Sequence, residues 1–154
     1  MISDTGVILF NMSEEEKQDK EYISYEFRIY PNREHVEKLK NQFGCVRFVY
    51  NRFFALSEST YKEEGRHRSY SENAADLTQL KRDPEYDWLK KVHSQPLQQA
   101  LMDLQSAYGN FFAGRAEKPR WKAKKSWQKF RYPQGVKLDP GNKRCYLPKV
   151  GWMK

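Results

Sequence analysis

The chain has 154 residues and a formal net charge of +8, with 28 Lys and Arg against 20 Asp and Glu. That length supports one domain, or one domain carrying an inserted subdomain, with a single hydrophobic core. Aromatics make up 15% of the residues, too many for a disordered chain, and no stretch reaches the length of a membrane span, so a folded protein with no place in the membrane is expected.

Residues 1–21 are acidic, through Asp4, Glu14, Glu15, Glu16, Asp19 and Glu21, and show no periodicity. They read as a flexible arm, or as a shield over a basic groove. No basic residue precedes the apolar run Val7 to Phe10, which is not the pattern of a secretory signal, and a cytoplasmic location follows as the default. From Tyr22 to Tyr30 the chain alternates. Ile23, Tyr25, Phe27 and Ile29 share one face, Ser24, Glu26 and Arg28 the other, as in a half-buried strand ending at Pro31-Asn32. Asn32 caps a helix with Val36, Leu39 and Phe43 in one stripe, and Gly44 breaks or bends it. A second helix turns Val46, Val49, Tyr50, Phe53, Leu56 and Thr60 inward and ends at Gly65.

Arg66, His67 and Arg68 form a basic loop before Tyr70, and Ser71 caps a third helix carrying Ala74, Leu77 and Leu80. Asp83-Pro84-Glu85 is a turn that Trp88, Leu89 and Val92 pack onto the helices. Ser94 caps a fourth helix with the strongest inner stripe of the chain: Leu97, Leu101, Leu104, Tyr108, Phe111 and Phe112. After Gly114, eight cations (Arg115, Lys118, Arg120, Lys122, Lys124, Lys125, Lys129 and Arg131) fall within seventeen positions, opposed only by Glu117. Trp121, Trp127, Phe130 and Tyr132 interleave with them. A second β region has Val136 and Leu138 before an Asp139-Pro140-Gly141-Asn142 turn and Cys145, Tyr146 and Leu147 after it. The order strand, four helices, strands predicts an α+β fold in which the helices interrupt a sheet. The first strand must find its partners at the end of the chain, since a lone strand is not stable.

The basic aromatic segment has two readings. Lysine and arginine meet phosphates, and aromatics stack on unpaired bases, which together suit single-stranded or structured RNA. Alternatively, the cations only solvate a loop that Trp121, Phe130 and Tyr132 pin to the sheet, and both roles are compatible. An interfacial membrane helix fits less well, because Pro119 and Pro133 bound a short, nearly all-polar stretch. Cys45 and Cys145 form no close pair and read as buried free thiols. His35, His67 and His93 lack metal-ligand spacing and read as solvent-facing or phosphate-adjacent. Asp76, Asp83, Asp87 and Asp103 are scattered, no nucleophile–base arrangement appears, and no cofactor is expected.

Several segments carry a resemblance: YEFRIYPNREHVEKLKNQFGCVRFVYNRFFAL, DLTQLKRDPEYDWLKKVHSQPLQQALMDLQSAYGNFF, KPRWKAKK and LPKVGWMK, in that order. Together, over roughly residues 22–154, they resemble the N-terminal half of the TnpB/OrfB proteins of IS200/IS605 and IS607 transposons. These are RNA-guided DNA nucleases related to compact Cas12 effectors. The resemblance implies a small wedge-like β-barrel, residues 22–31 and 115–154, interrupted by a helical recognition bundle, residues 32–114, a region also described as helix-turn-helix. It implies guide-type RNA and double-stranded DNA as partners.

It also implies target-facing roles for Tyr70 and Gln98; Gln suits the major-groove edge of adenine. Both have ordinary readings too, as a helix-entry contact and an exposed first-turn residue. Arg47 is the better ligand candidate in the Arg47-Phe48-Val49-Tyr50-Asn51 motif, whose Tyr50 and Asn51 serve helix packing equally well. Arg66 and Arg68 join the cations of 115–131 as nucleic-acid candidates.

The chain lacks the family's Gly-Ile-Asp-x-Gly strand and ribbon cysteines, so an enzyme acting alone is not expected. It also lacks the later wedge strands, which would leave the barrel with an open edge. The sheet closes through dimerisation or through Val7 to Phe10 as a strand, or the chain is a truncated copy or a fragment. Two alternatives to a nucleic-acid module stand beside it: a regulator or decoy docking on a full-length TnpB-like nuclease, and a transposon remnant.

Overall fold

The computed structural model describes residues 2–3, 7–12, 23–126 and 128–154. Its spine is helix α1, Arg33–Glu64. Asn32 caps it as expected: its side chain accepts the His35 N–H, and His35 Nδ1 accepts the Asn32 N–H in return. Gly65 ends it with φ 68°, a left-handed conformation that favours glycine.

The expected break at Gly44 is absent, and one helix replaces two. The apolar positions explain this. Leu39, Phe43, Val46, Val49, Tyr50 and Phe53 are all buried and stay in helical phase across the glycine, so burial of one continuous stripe outweighs about 1 kcal/mol of poor propensity.

Two other helix starts differ from expectation. Helix α2 is Tyr70–Leu80, capped by Ser69 instead of Ser71, because Glu72 closes a reciprocal capping box with Ser69. Helix α3, Ser94–Phe112, is capped by His93 instead of Ser94: His93 Nδ1 accepts the Gln95 N–H. Between them the Asp83 turn widens into a 3₁₀ helix, Pro84–Lys91, with Asp83 as its cap. The histidines are therefore not simply solvent-facing. His35 and His93 cap helices, and His67 lies half-buried between the rings of Tyr61, Tyr108 and Phe112.

Strands β1 (Ile2–Ser3), β2 (Val7–Met12), β3 (Ile23–Arg28) and β4 (Lys129–Phe130) form one sheet in the order β3-β2-β1-β4. The first long strand thus pairs with the Val7 run, one of the expected closures, antiparallel with Val7 opposite Arg28, and reaches the later half of the chain only through β1 and β4. The acidic stretch around Glu14 lies outside the described residues, as does Trp127. Strands β5 (Lys137–Asp139), β6 (Arg144–Leu147) and β7 (Gly151–Met153) form a second antiparallel sheet. The ends meet where Tyr30 N–H donates to the Lys154 carbonyl at 2.6 Å. The structure is therefore mixed helix and sheet, α+β.

One core unites these parts. Val49 and Phe53 of α1 meet Leu97, Leu101 and Leu104 of α3, all 1% exposed or less, and Leu77, Leu80 and Leu89 complete the helical side. Phe130, Leu147, Val150 and Met153 complete the sheet side, joined to α1 by an edge-to-face Phe43–Phe130 contact at 4.8 Å. Lys149, after β6, donates to the carbonyls of Lys90 and Val92 at the end of the 3₁₀ helix. Cys45 and Cys145 are free and buried, as expected. Phe112, expected on the inner stripe of α3, is 56% exposed at its last turn.

Two outcomes follow. A methyl group at Gly44 would meet no atom within 4 Å. Gly44→Ala should therefore stabilise the protein by about 0.5–1 kcal/mol in urea denaturation; a loss of stability would argue for a bend there. The Glu72 carboxyl is held down to about 2 from an ordinary 4.5, first by the Ser69 N–H and then by Arg66. A depressed carboxyl stabilises the folded state above its unfolded value. The Glu72 contribution to α2 should thus be complete above pH 4.5 and fade as pH falls toward about 2, which an NMR titration of the Glu72 side chain reads directly.

Candidate nucleic-acid interface

The basic segment runs along α1 in the opposite direction, pinned at four points. Lys118 Nζ bonds Glu58 at 2.6 Å. The buried Asn51 amide accepts the Lys122 N–H at 2.8 Å and donates to the Lys122 carbonyl at 2.9 Å. Arg47 donates to the Gln128 side-chain oxygen at 3.0 Å, and the Gln128 amide donates to the carbonyls of Ala123 and Lys124. Phe130 meets Phe43. Positions 58, 51, 47 and 43 fall on one stripe of a 3.6-residue helix, so a straight segment can follow them. An irregular strand of backbone carries unpaired N–H and C=O groups, and here side-chain amides pair them.

Lys122 folds back over this contact, its ammonium 3.8 Å from the centre of the Tyr50 ring. Burial pulls its pKa down, Asp103 opposes that, and Lys129 adds to it. Tyr50 and Asn51 thus serve packing. Trp121 is not the core anchor that its aromatic character suggested. It is 61% exposed and touches Phe54 edge-on at 6.5 Å, whereas Phe130 is buried and Tyr132 donates its hydroxyl to the Pro148 carbonyl.

Beside the pinned segment lies an open groove of about 780 Å³. Its α1 wall runs from Gly44 to Ser59 and includes Arg47, Arg52 and Ala55, and its other wall is residues 121–124. The groove gathers Arg47, Lys122 and Lys124 among the expected contact residues. Arg66, Arg68, Tyr70 and Gln98 are not in its lining. Arg66 pairs with Glu64 and Glu72, and Arg68, with its side chain only 13% exposed, bonds Asn73 and Asp76. Tyr70 packs half-buried against the helical core, and Gln98 is exposed on α3. Arg120 pairs with Glu117 and Arg131 with Asp103. Arg115, Lys124, Lys125 and Lys129 are exposed, and their side chains have no partner among the described residues.

Sequence reasoning missed Arg52 and Gln128. Arg52 reaches the Tyr86 hydroxyl at 3.3 Å and its guanidinium lies 5.0 Å from the centre of that ring. The signal for it was spacing: Arg52 lies four residues after Phe48 and three before Ala55, on the stripe of α1 that lines the groove. Nothing in the segment marks Gln128 before the segment is laid on Arg47. No helix among the described residues is long and apolar enough to cross a membrane.

Comparison with known proteins gives a family model and several relatives. Residues 22–66 match the helix-turn-helix domain of OrfB proteins of the IS605 type. The matched span is β3 and the single helix α1, so the turn of that description is not realised at Gly44. The chain is 41% identical over 135 residues to an Escherichia coli (strain K12) protein named "Putative RNA-guided DNA endonuclease InsQ", covering 88% of this chain and 34% of that one. A Streptomyces pristinaespiralis protein named for the same activity is 42% identical over 102 residues, 25% of its length. Virulence protein VsdF of Salmonella dublin is 33% identical over 91 residues, covering 54% of this chain and 76% of VsdF. The chain spans about a third or less of the two endonuclease relatives. The chain is thus similar to the N-terminal, helix-turn-helix-bearing region of TnpB/OrfB-type proteins.

Asn51→Ala should release the segment. It leaves the Lys122 N–H and C=O without protein partners and should cost about 1–3 kcal/mol in chemical denaturation, with faster amide exchange around residue 122. Unchanged exchange there would show that the Asn51 contact does not hold the segment.

Proposed function

We propose that this chain is a non-catalytic nucleic-acid-binding module of a transposon-associated TnpB-like protein, which holds guide-type RNA, target DNA or both. The observation that carries the reading is a division among the cations of residues 115–131. Lys118, Arg120 and Arg131 are paired with Glu58, Glu117 and Asp103 and Lys122 lies over the Tyr50 ring, while Arg115, Lys124, Lys125 and Lys129 stand exposed and unpaired among the described residues along a backbone clamped to α1. Exposed cations on a rigid backbone suit a polyanion, because ordering them on binding costs little. The RNA-guided names of the relatives support the same ligand class. Tyr70 and Gln98 remain the candidates for duplex contact beside the target, Gln98 being exposed and unpaired among the described residues.

The non-catalytic part of the reading rests on the carboxylates. Asp76, Asp87, Asp103 and Asp139 each pair with a nearby cation, Arg68, Lys90, Arg131 and Arg144. Carboxylates so engaged are poorly suited to a two-metal nuclease centre, which needs them clustered and free. Catalysis would then fall to a separate RuvC-like polypeptide.

A second reading, docking on a full-length nuclease or on a second copy, draws on one surface. Phe27, Tyr30 and Leu138 are 42–69% exposed and line one cleft between the end of β3 and the β5–β6 hairpin.

The test is affinity for RNA from the same locus, unrelated RNA and duplex DNA over a salt series. The nucleic-acid reading expects tight binding whose slope against log salt falls by about 0.7–0.9 for each of Lys124, Lys125 and Lys129 changed to Ala. Weak binding to all three polymers, unchanged by those substitutions, would overturn it and favour the docking reading.

A further inference from the structure

The groove between α1 and residues 121–124 has a composition unlike the rest of the surface. Four cations line it, Arg47, Arg52, Lys122 and Lys124, and no carboxylate does. On α1, Gly44, Ala55 and Ser59 bring little or no side chain, and the space a Gly44 methyl would enter is empty. A flat group can therefore approach the helix surface closely.

Trp121 forms part of the opposite wall. An indole left 61% exposed costs apolar hydration, and its one ring contact among the described residues is the edge-on one with Phe54. Its position is nonetheless fixed, because the next residue, Lys122, is clamped by Asn51 through both its N–H and its carbonyl. Across the groove, Arg52 keeps a buried Nε with no partner, while its Nη1 is held by Tyr86. A rigid exposed ring, the Arg52 guanidinium among the lining residues and an excess of positive charge thus share one concave site.

We infer that this groove seats unpaired nucleotides of a single nucleic-acid strand, with a base stacked on Trp121 and its phosphates toward Arg52 and Lys124. The inference rests on the nucleic-acid reading above and narrows it. A paired base in a duplex has both faces covered by its neighbours and offers only an edge, whereas an unpaired base offers a whole face to an indole. The absence of carboxylates among the lining residues also disfavours a basic peptide in the same place.

The experiment compares oligo-rU, oligo-dT and a blunt DNA duplex of equal length by fluorescence anisotropy, with the wild type, Trp121→Ala, Trp121→Phe and Arg52→Ala. Trp121→Ala should weaken binding of the single strands by about five- to a hundredfold, with little effect on the duplex. Trp121→Phe should hold affinity within a few fold of wild type and lose the part of the tryptophan quenching that belongs to residue 121. Arg52→Ala should weaken single strands too. Tighter binding of oligo-rU than oligo-dT would assign the groove to RNA, the reverse to single-stranded DNA, and either supports it. Wild-type affinity of folded Trp121→Ala for single strands, or a wild-type preference for the duplex, would overturn this inference alone. Failure of the wild type to bind any of the three would overturn both it and the broader reading.

Discussion

The structure depends on how an irregular, highly charged stretch of backbone is laid against a helix without leaving its polar groups unpaired. Water pairs such groups at a surface, but a segment pressed onto α1 loses that water and must find partners in the protein. Asn51 supplies both a donor and an acceptor to Lys122, and Gln128 gathers the carbonyls of Ala123 and Lys124 while it accepts from Arg47. Gln42 does the same nine residues earlier on α1, where its amide brackets the N–H and carbonyl of His93 at the entry to α3. One helix therefore presents an apolar stripe to the core and buried amides to the two irregular segments beside it.

This arrangement also decides which charges are available. A net charge of +8 suggests a uniformly sticky basic surface. Much of the positive charge is instead neutralised in place, by Glu58, Glu117, Asp103, Asp76 and Asp139 among others. Most of these pairs are exposed and contribute little stability singly. Their larger effect is to thin the positive charge where they form, while Arg115, Lys124, Lys125 and Lys129 stay exposed and close together in one segment beside the groove.

A glycine in mid-helix, here Gly44, invites a reading of two helices and a turn, and the family's domain description contains a turn. In the folded chain the apolar stripe runs through it, and the missing side chain opens the groove wall instead. The residue that looks like punctuation in the sequence is a matter of access in the structure.

The sequence alone determined the periodic parts: the strand before Pro31, the inner stripe of α3, the Asn32 and Gly65 ends of α1, the Asp139 turn and the crowding of cations after Gly114. These are legible because period, caps and turn residues act over a few positions. Tertiary structure decided what depends on neighbours distant in sequence. Gly44 stays helical because the stripe is buried on both sides of it, Phe43 against Phe130 before it and Val49 and Phe53 against α3 after it. The strand at Ile23–Arg28 pairs with Val7–Met12, since edge pairing has no local code. Trp121 faces out while Phe130 faces in, because one lies beside the open side of α1 and the other beside Phe43. Arg47, Arg52, Trp121 and Lys124 become one site because a segment some seventy residues later runs back along α1. A contact set by that packing leaves no periodic trace in the chain.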